Sequence, residues 1–352
     1  MRLLGRGASG RSLAAALRDL ADPEPIVRAG AATDLARYAV RHRDQVVAPL
    51  VKTLCDEYPK VRAAAALTLG DCGDAETVEP LLERLADEEE EARVRLGLLT
   101  ALGEIGDARA TEGVAAALTD DAPAVRFQAV IAFARVCADH DEAIATLLEA
   151  SHDDDPLVCH IAMRVAEEVG IGDDRSEDGA VAPQILARAV ELLDHDSDVV
   201  RIVAAIIAGR AGRPDGRDIL LAAAIGELCT SEADDEFAAI ELCGQLGIEE
   251  AIPYLELRAF AGLLNRDRFA WPARVALAAL GNARAITWLL KELEAWTFAR
   301  RTVAVAAAGR ARLAQARPLL EAMRNKPSRA EPDAVEKALA ALATQSEGAV
   351  GD

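Results

Sequence analysis

The sequence predicts an all-α fold, a right-handed α-α superhelix (α-solenoid) of about ten stacked helical hairpins. Three observations predict it. A Val-Arg helix opening recurs along the chain, glycines follow it at fixed distances, and 51% of the 352 residues are apolar while only 3% are aromatic. That balance suits thin, repeated helix contacts better than one large core.

The period is read from the arginine of the opening. Its position is occupied by Arg28, Arg62, Arg95, Arg126, Cys159, Arg201, Glu236, Ala270, Arg301 and Glu336, with steps of 34, 33, 31, 33, 42, 35, 34, 31 and 35. Gly70, Gly103 and Gly209 follow eight residues later, and Gly73, Gly106 and Gly212 eleven later. Both sets are expected to end helices, because glycine adopts the left-handed conformation at little steric cost. The first helix of each unit is alanine-rich, as in Ala63 to Ala66 and Ala304 to Ala308, which favours helix and lets neighbours approach closely. The second places Val78, Leu81, Leu82 and Leu85, or Val114, Ala117 and Leu118, on one helical face. No strand pattern is evident.

Asp-x5-Arg pairs mark the turns: Asp22/Arg28, Asp56/Arg62 and Asp120/Arg126, with Arg95 and Arg201 at the same register. They predict a structural ladder. The Asp is expected to cap the next helix by accepting its free amides, and the Arg to bridge to the Asp of an adjacent repeat.

These Val-Arg openings, the Leu-Gly-x-x-Gly-Asp turns of residues 69 to 74 and 102 to 107, and the Asp-x5-Arg pairs resemble the HEAT-repeat family, especially the short HEAT-like repeats found in phycobilisome lyases. The resemblance spans residues 11–344 and is strongest from 20 to 140. Past residue 230, Glu236, Ala270 and Glu336 replace the arginine, so a continuous ladder is not expected there. The resemblance implies one solenoid domain over 11–344, with flexible tails at 1–10 and 345–352. The step of 42 places a loop insertion near 171–180, polar and bracketed by Gly170 and Gly179, where a surface insertion is readily tolerated.

Charge is uneven. The chain carries a formal net charge of -20, yet residues 51–252 hold 44 Asp+Glu against 16 Lys+Arg, and residues 253–330 hold 14 Lys+Arg against 5 Asp+Glu. A long acidic surface repels phosphates and argues against wrapping nucleic acid along the whole chain. Only 5 of the 39 basic residues are Lys. Acidity with few lysines resembles proteins of salt-adapted, GC-rich organisms, although a GC-rich mesophile would also favour Arg and Ala. In strong salt, screening over a few Å would leave recognition to apolar and aromatic contacts.

The basic end is also the aromatic end. Seven of the twelve aromatic residues lie between 254 and 298, including Phe269, Trp271, Trp288 and Trp296, interleaved with Arg268, Arg274, Arg300 and Arg301. Trp and Arg are enriched at interface hot spots, so these eight residues are the partner-binding candidates. Their bland alternative is a role as larger core fillers.

Catalytic signals are weak. His42, His140, His152, His160 and His195 are scattered over different repeats; His152 and His160 flank Asp153, Asp154 and Asp155, but such turn carboxylates ordinarily cap helices, and no metal site is expected. Six cysteines without a Cys-x-x-Cys pair read as small core residues in a reducing compartment. No nucleotide-binding glycine motif, signal peptide or membrane-length apolar run is present in the sequence.

These readings predict a cytoplasmic, non-enzymatic scaffold or adaptor for a protein partner, with no cofactor and no membrane. Two other classes stay open. One is a bilin-lyase-like enzyme or subunit, implied by the family resemblance. The other is nucleic-acid binding through the basic C-terminal repeats, which the overall acidity disfavours.

Overall fold

A computed structural model describes residues 10–171, 181–228, 232–261 and 267–348. The insertion near 171–180, Cys229, and most of the two tails lie outside the described residues.

The described residues form twenty α-helices and no strand. They divide into two compact units, one ending at Ile185 and the other starting at Leu186. Unit 1 contains α1 (Leu13–Asp19), α2 (Pro25–Leu35), α3 (Arg43–Thr53), α4 (Pro59–Cys72), α5 (Val78–Leu85), α6 (Ala92–Ile105), α7 (Thr111–Ala116), α8 (Pro123–Val136), α9 (His140–Ala150) and α10 (Pro156–Ile171). After α11 (Pro183–Leu192), unit 2 continues with α12 (Asp198–Arg210), α13 (Arg217–Ile225), α14 (Ala233–Gln245), α15 (Ile252–Ala259), α16 (Ala270–Ala279), α17 (Ala283–Leu293), α18 (Phe298–Arg310), α19 (Arg317–Arg324) and α20 (Pro332–Gly348).

Each unit is an α-solenoid of helical hairpins in two rows. The even-numbered helices hold the ten register positions, and they pack on one another in sequence: α2 on α4, α4 on α6, α6 on α8, and in unit 2 α14 on α16 and α18 on α20. The odd-numbered helices cover them. Val78, Leu81 and Leu85 of α5 are buried against this row and Leu82 is half-buried, as the 3.6-residue period requires. Phe133 and Phe269 are the buried aromatics among the described residues; the interior is mostly alanine, leucine, valine and isoleucine.

The two sets of glycines do different jobs. Gly73, Gly106 and Gly212 have φ of 57°, 68° and 71° and end their helices as expected. Gly70 and Gly103 do not end helices: they are buried within α4 and α6. A Cβ on Gly70 would lie 2.8 Å from Ala101 Cα, and one on Gly103 would lie 3.1 Å from Ala132 Cα. Gly244 and Gly309 repeat this in unit 2, at 2.6 Å from Ala276 Cα and 2.9 Å from Ala338 Cα. These glycines set the spacing of the even row. Gly209 has flexible leucine ends as its neighbours instead, the nearest at 3.2 Å.

This contrast is testable by chemical unfolding. Gly244→Ala is expected to destabilise unit 2 by about 1–3 kcal/mol, because helix backbones must separate. Gly209→Ala is expected to stay within about 1 kcal/mol of wild type, since leucine termini can shift and alanine favours helix.

Candidate functional site

The ladder begins with the turn before each even helix. Asp22, Asp56 and Asp120 accept the amides of Glu24, Tyr58 and Ala122, each at 2.9 Å. Those amides belong to the N-cap residues themselves, and Pro25, Pro59 and Pro123 follow at the first helical position, where a missing N–H is harmless. The carboxylates therefore shape the turn rather than cap the helix interior.

The arginines then link repeats. Arg28 Nη1 donates to the Asp22 and Pro23 carbonyls at 3.0 and 3.1 Å, while Nε and Nη2 donate to Asp56 of the next repeat at 2.7 and 2.9 Å. Arg126 does the same, reaching the Asp120 carbonyl at 2.8 Å and the two Asp153 oxygens at 2.6 and 2.7 Å. Arg62 grips the Asp56 carbonyl at 2.8 Å, but its acceptor is Glu90, at 2.9 and 2.6 Å. Glu90 is buried and also accepts from Arg84. Sequence reasoning missed Glu90 because the Asp-x5-Arg spacing fails in that turn; its signal was its place 28 residues after Arg62.

Electrostatics follow. Burial works to raise Asp56, Glu90 and Asp153, but the arginine forks and turn amides outweigh it and hold all three below the usual carboxylate range. Hydrogen bonds donated to the same carboxylates raise Arg28, Arg62 and Arg126 above their ordinary value. Two rungs are incomplete. Arg95 lies 3.3 Å from Asp120, and its buried Nε has no hydrogen-bond partner among the described residues; Arg201 pairs with Asp198 of its own first turn. Asp153 and Asp155, read beside His152 and His160 in the sequence, are occupied structurally: Asp155 accepts the Leu157 amide at 2.9 Å as a helix cap.

The eight partner-binding candidates separate in unit 2. Arg301 is buried in a ladder grip, donating to the Ala295 and Trp296 carbonyls at 2.7 and 2.9 Å and to the Arg329 carbonyl at 2.6 Å. Phe269 is buried beneath the guanidinium groups of Arg258 and Arg268, at 4.8 and 4.4 Å from its centroid. Trp271 and Trp288 are half-buried against the core and meet edge to face with centroids 4.8 Å apart. Arg274 lies 4.8 Å from the Trp288 centroid and donates to the Ala259 carbonyl at 2.8 Å; burial, with Arg284 nearby, lowers its pKa. These five are packed structure. What faces solvent is Trp296, 96% exposed, with Phe298, Val303, Arg268 and Arg300. Glu292 holds Arg300 in a two-pronged pair at 2.5 and 2.7 Å.

The cysteines offer no ready nucleophile where they are buried. Burial pushes Cys72 up to about 11 and Cys243 up to about 12. Cys55, expected in an apolar setting, is exposed.

A family model described as HEAT repeats matches residues 11–96 and 88–166. No curated protein matches the chain. Among solved structures, Escherichia coli YibA is similar at 18% identity and TM-score 0.50, over 76% of this chain and 92% of that one. Kap121p is similar at 14% identity and TM-score 0.56, over 93% of this chain and 44% of that one. The complex of CpcE and CpcF of phycocyanin lyase from a Nostoc species is similar at 18% identity over 73% of this chain and 97% of that one, but its TM-score of 0.43 carries no argument. The first two likenesses show the fold alone.

The ladder predicts acid sensitivity. Because Asp56, Glu90 and Asp153 are held below their unfolded values, their pairing contributes stability above the ordinary carboxylate pKa of about 4 and loses it as pH falls through the lower folded values. Unfolding followed by circular dichroism should show this loss below about pH 4. Arg62→Ala is expected to cost about 2–3 kcal/mol at neutral pH by leaving buried Glu90 with Arg84 and the Glu91 amide as its remaining donors. Replacing Glu90 by Leu in the same chain is expected to recover part of it.

Proposed function

We propose that this chain, whose residues 11–96 and 88–166 match HEAT repeats, is a non-enzymatic scaffold or adaptor that holds a protein partner on its solenoid surface. The observation that carries this reading is Trp296. It stands 96% exposed in the turn before α18, with Phe298 and Val303 exposed in the helix it leads into. A tryptophan left in water forgoes the burial that would contribute about 2–3 kcal/mol, and Trp with Arg is the pair most often found at binding hot spots. Arg268 and Arg300 provide exposed guanidinium groups in the same stretch of sequence. The docking surface therefore centres on Trp296, Phe298, Arg268 and Arg300. Trp271, Trp288, Phe269, Arg274 and Arg301 support it from within.

A protein partner fits this surface better than nucleic acid. The exposed arginines already engage carboxylates, Arg300 with Glu292 and Arg268 with Glu236 at 3.2 Å, which reduces the free positive charge a phosphate backbone would need. Among the described residues no helix is long and apolar enough to cross a membrane.

Affinity capture from the source organism's lysate, read by mass spectrometry, tests the proposal. Trp296→Ala is expected to keep the wild-type circular dichroism and unfolding midpoint, because the side chain is not part of the core, while losing a captured protein by at least about tenfold. Trp271→Ala, in contrast, is expected to destabilise unit 2 by about 3 kcal/mol. Equal capture by Trp296→Ala and wild type would remove the site from this surface, and no specific capture at all would remove the scaffold reading.

A further inference from the structure

Five turns of the chain take a left-handed glycine at one register position, and one turn in unit 2 takes the same conformation with another residue. Eleven residues after the register position lie Gly73, Gly106, Gly212, Gly247 and Gly281, all with positive φ; the same count from Arg301 reaches Arg312, with φ of 45°. Among the described residues it is the sole non-glycine in that conformation. The turn itself is unchanged. The Arg312 amide donates to the Gly309 carbonyl at 2.9 Å and the Leu313 amide to Ala308 at 3.0 Å, as the Gly212 and Arg213 amides donate to Gly209 and Ala208 at 3.0 and 2.9 Å. A side chain in the left-handed region is disfavoured by contact between Cβ and the carbonyl, and residues held there concentrate at binding sites.

Arg312 lines a recess of about 390 Å³ together with Arg310, Lys337 and Gln245. Gln245, at the end of α14, reaches the same recess as α18 and α20 because α16 between them has 10 residues and is the shortest helix of its row. Alanines of α18 and α20, among them Ala306 and Ala338, supply an apolar floor. Buried Glu241 accepts from Arg310 Nε at 3.0 Å, which leaves the two Nη nitrogens without a hydrogen-bond partner among the described residues. Neither Arg312 nor Lys337 has a carboxylate within salt-bridge reach among the described residues. Three cations thus share one recess with a single buried carboxylate, an arrangement that an incoming anion would relieve.

We propose that this recess binds an acidic segment of a partner protein, seating carboxylates on Arg312, Lys337 and the free edge of Arg310 and a short aliphatic side chain on the alanine floor. The site deepens the scaffold reading above and rests on it. The recess lies at the C-terminal ends of α14 and α18, where the negative helix dipoles disfavour a compact, doubly charged phosphate more than singly charged carboxylates spread along a peptide.

Fluorescence anisotropy with a labelled peptide of alternating Glu and Leu tests this, beside the same peptide with Gln for every Glu. Wild type is expected to bind the Glu peptide at least about tenfold more tightly than the Gln peptide. Arg312→Gly, which installs the residue the other five turns use, is expected to keep the wild-type circular dichroism and an equal or higher unfolding midpoint while weakening the Glu peptide by about tenfold. Lys337→Gln is expected to weaken it as well. Lys60→Gln, on the surface of unit 1, is expected to leave peptide affinity unchanged; peptide affinity reads the recess and capture by Trp296→Ala reads the Trp296 surface, so the two failures are distinguishable. An Arg312→Gly affinity within about twofold of wild type, or equal binding of the two peptides, would overturn the proposal. Displacement of the peptide by inorganic phosphate at peptide-like concentrations would overturn it too, by making the recess a site for free anions.

Discussion

The interaction on which the rest depends is a two-handed arginine. In Arg28, Arg62 and Arg126 one Nη holds the carbonyls of the arginine's own turn while the other edge of the guanidinium holds a carboxylate of the next repeat. Lysine could not do both, because it lacks a planar fork with donors on two edges. Each such repeat is therefore closed only by its neighbour. Desolvating these charges offsets much of their attraction, so their main contribution is register: they fix which turn faces which helix. Arg301 shows that the arginine matters more than its acceptor, since it keeps the grip on its own turn and replaces the carboxylate with the Arg329 carbonyl.

Register alone would not make a compact stack. The even row closes up because glycine meets alanine backbone, at Gly70 and Ala101, Gly103 and Ala132, Gly244 and Ala276, and Gly309 and Ala338. Small side chains bury little area each, so the interior is assembled from many modest contacts repeated along the chain. Large aromatics would force such helices apart. They are admitted near α16, where Trp271 and Trp288 fill the space beside a short helix.

Function, in this architecture, is expected where a repeat stops following its own rules. Two departures occur in unit 2. An apolar side chain that belongs in a core stands in water at Trp296, and an arginine holds at residue 312 the left-handed turn conformation that five glycines hold elsewhere. Both lie on the surfaces on which recognition is proposed, and their supporting helices remain regular. The acidic majority of the chain is partly consumed by turns and rungs, whereas its basic end keeps guanidinium groups on the surface.

Periodicity made the helices, their pairing and the residues of the ladder legible from the sequence, because a 3.6-residue apolar period and a turn recurring every 31 to 35 residues are local signals. The left-handed turns at Gly73, Gly106 and Gly212 were legible for the same reason. What only the tertiary structure decided is which partner each side chain meets. Gly70 and Gly103 look like helix ends in the sequence, yet they are contact points, because their neighbours come from the next repeat. Glu90 as the acceptor of Arg62 depends on a turn that breaks the spacing. Among seven clustered aromatics, Trp271 in α16 is half-buried against the core and Trp296 in the turn before α18 is exposed, a difference set by packing that no composition encodes.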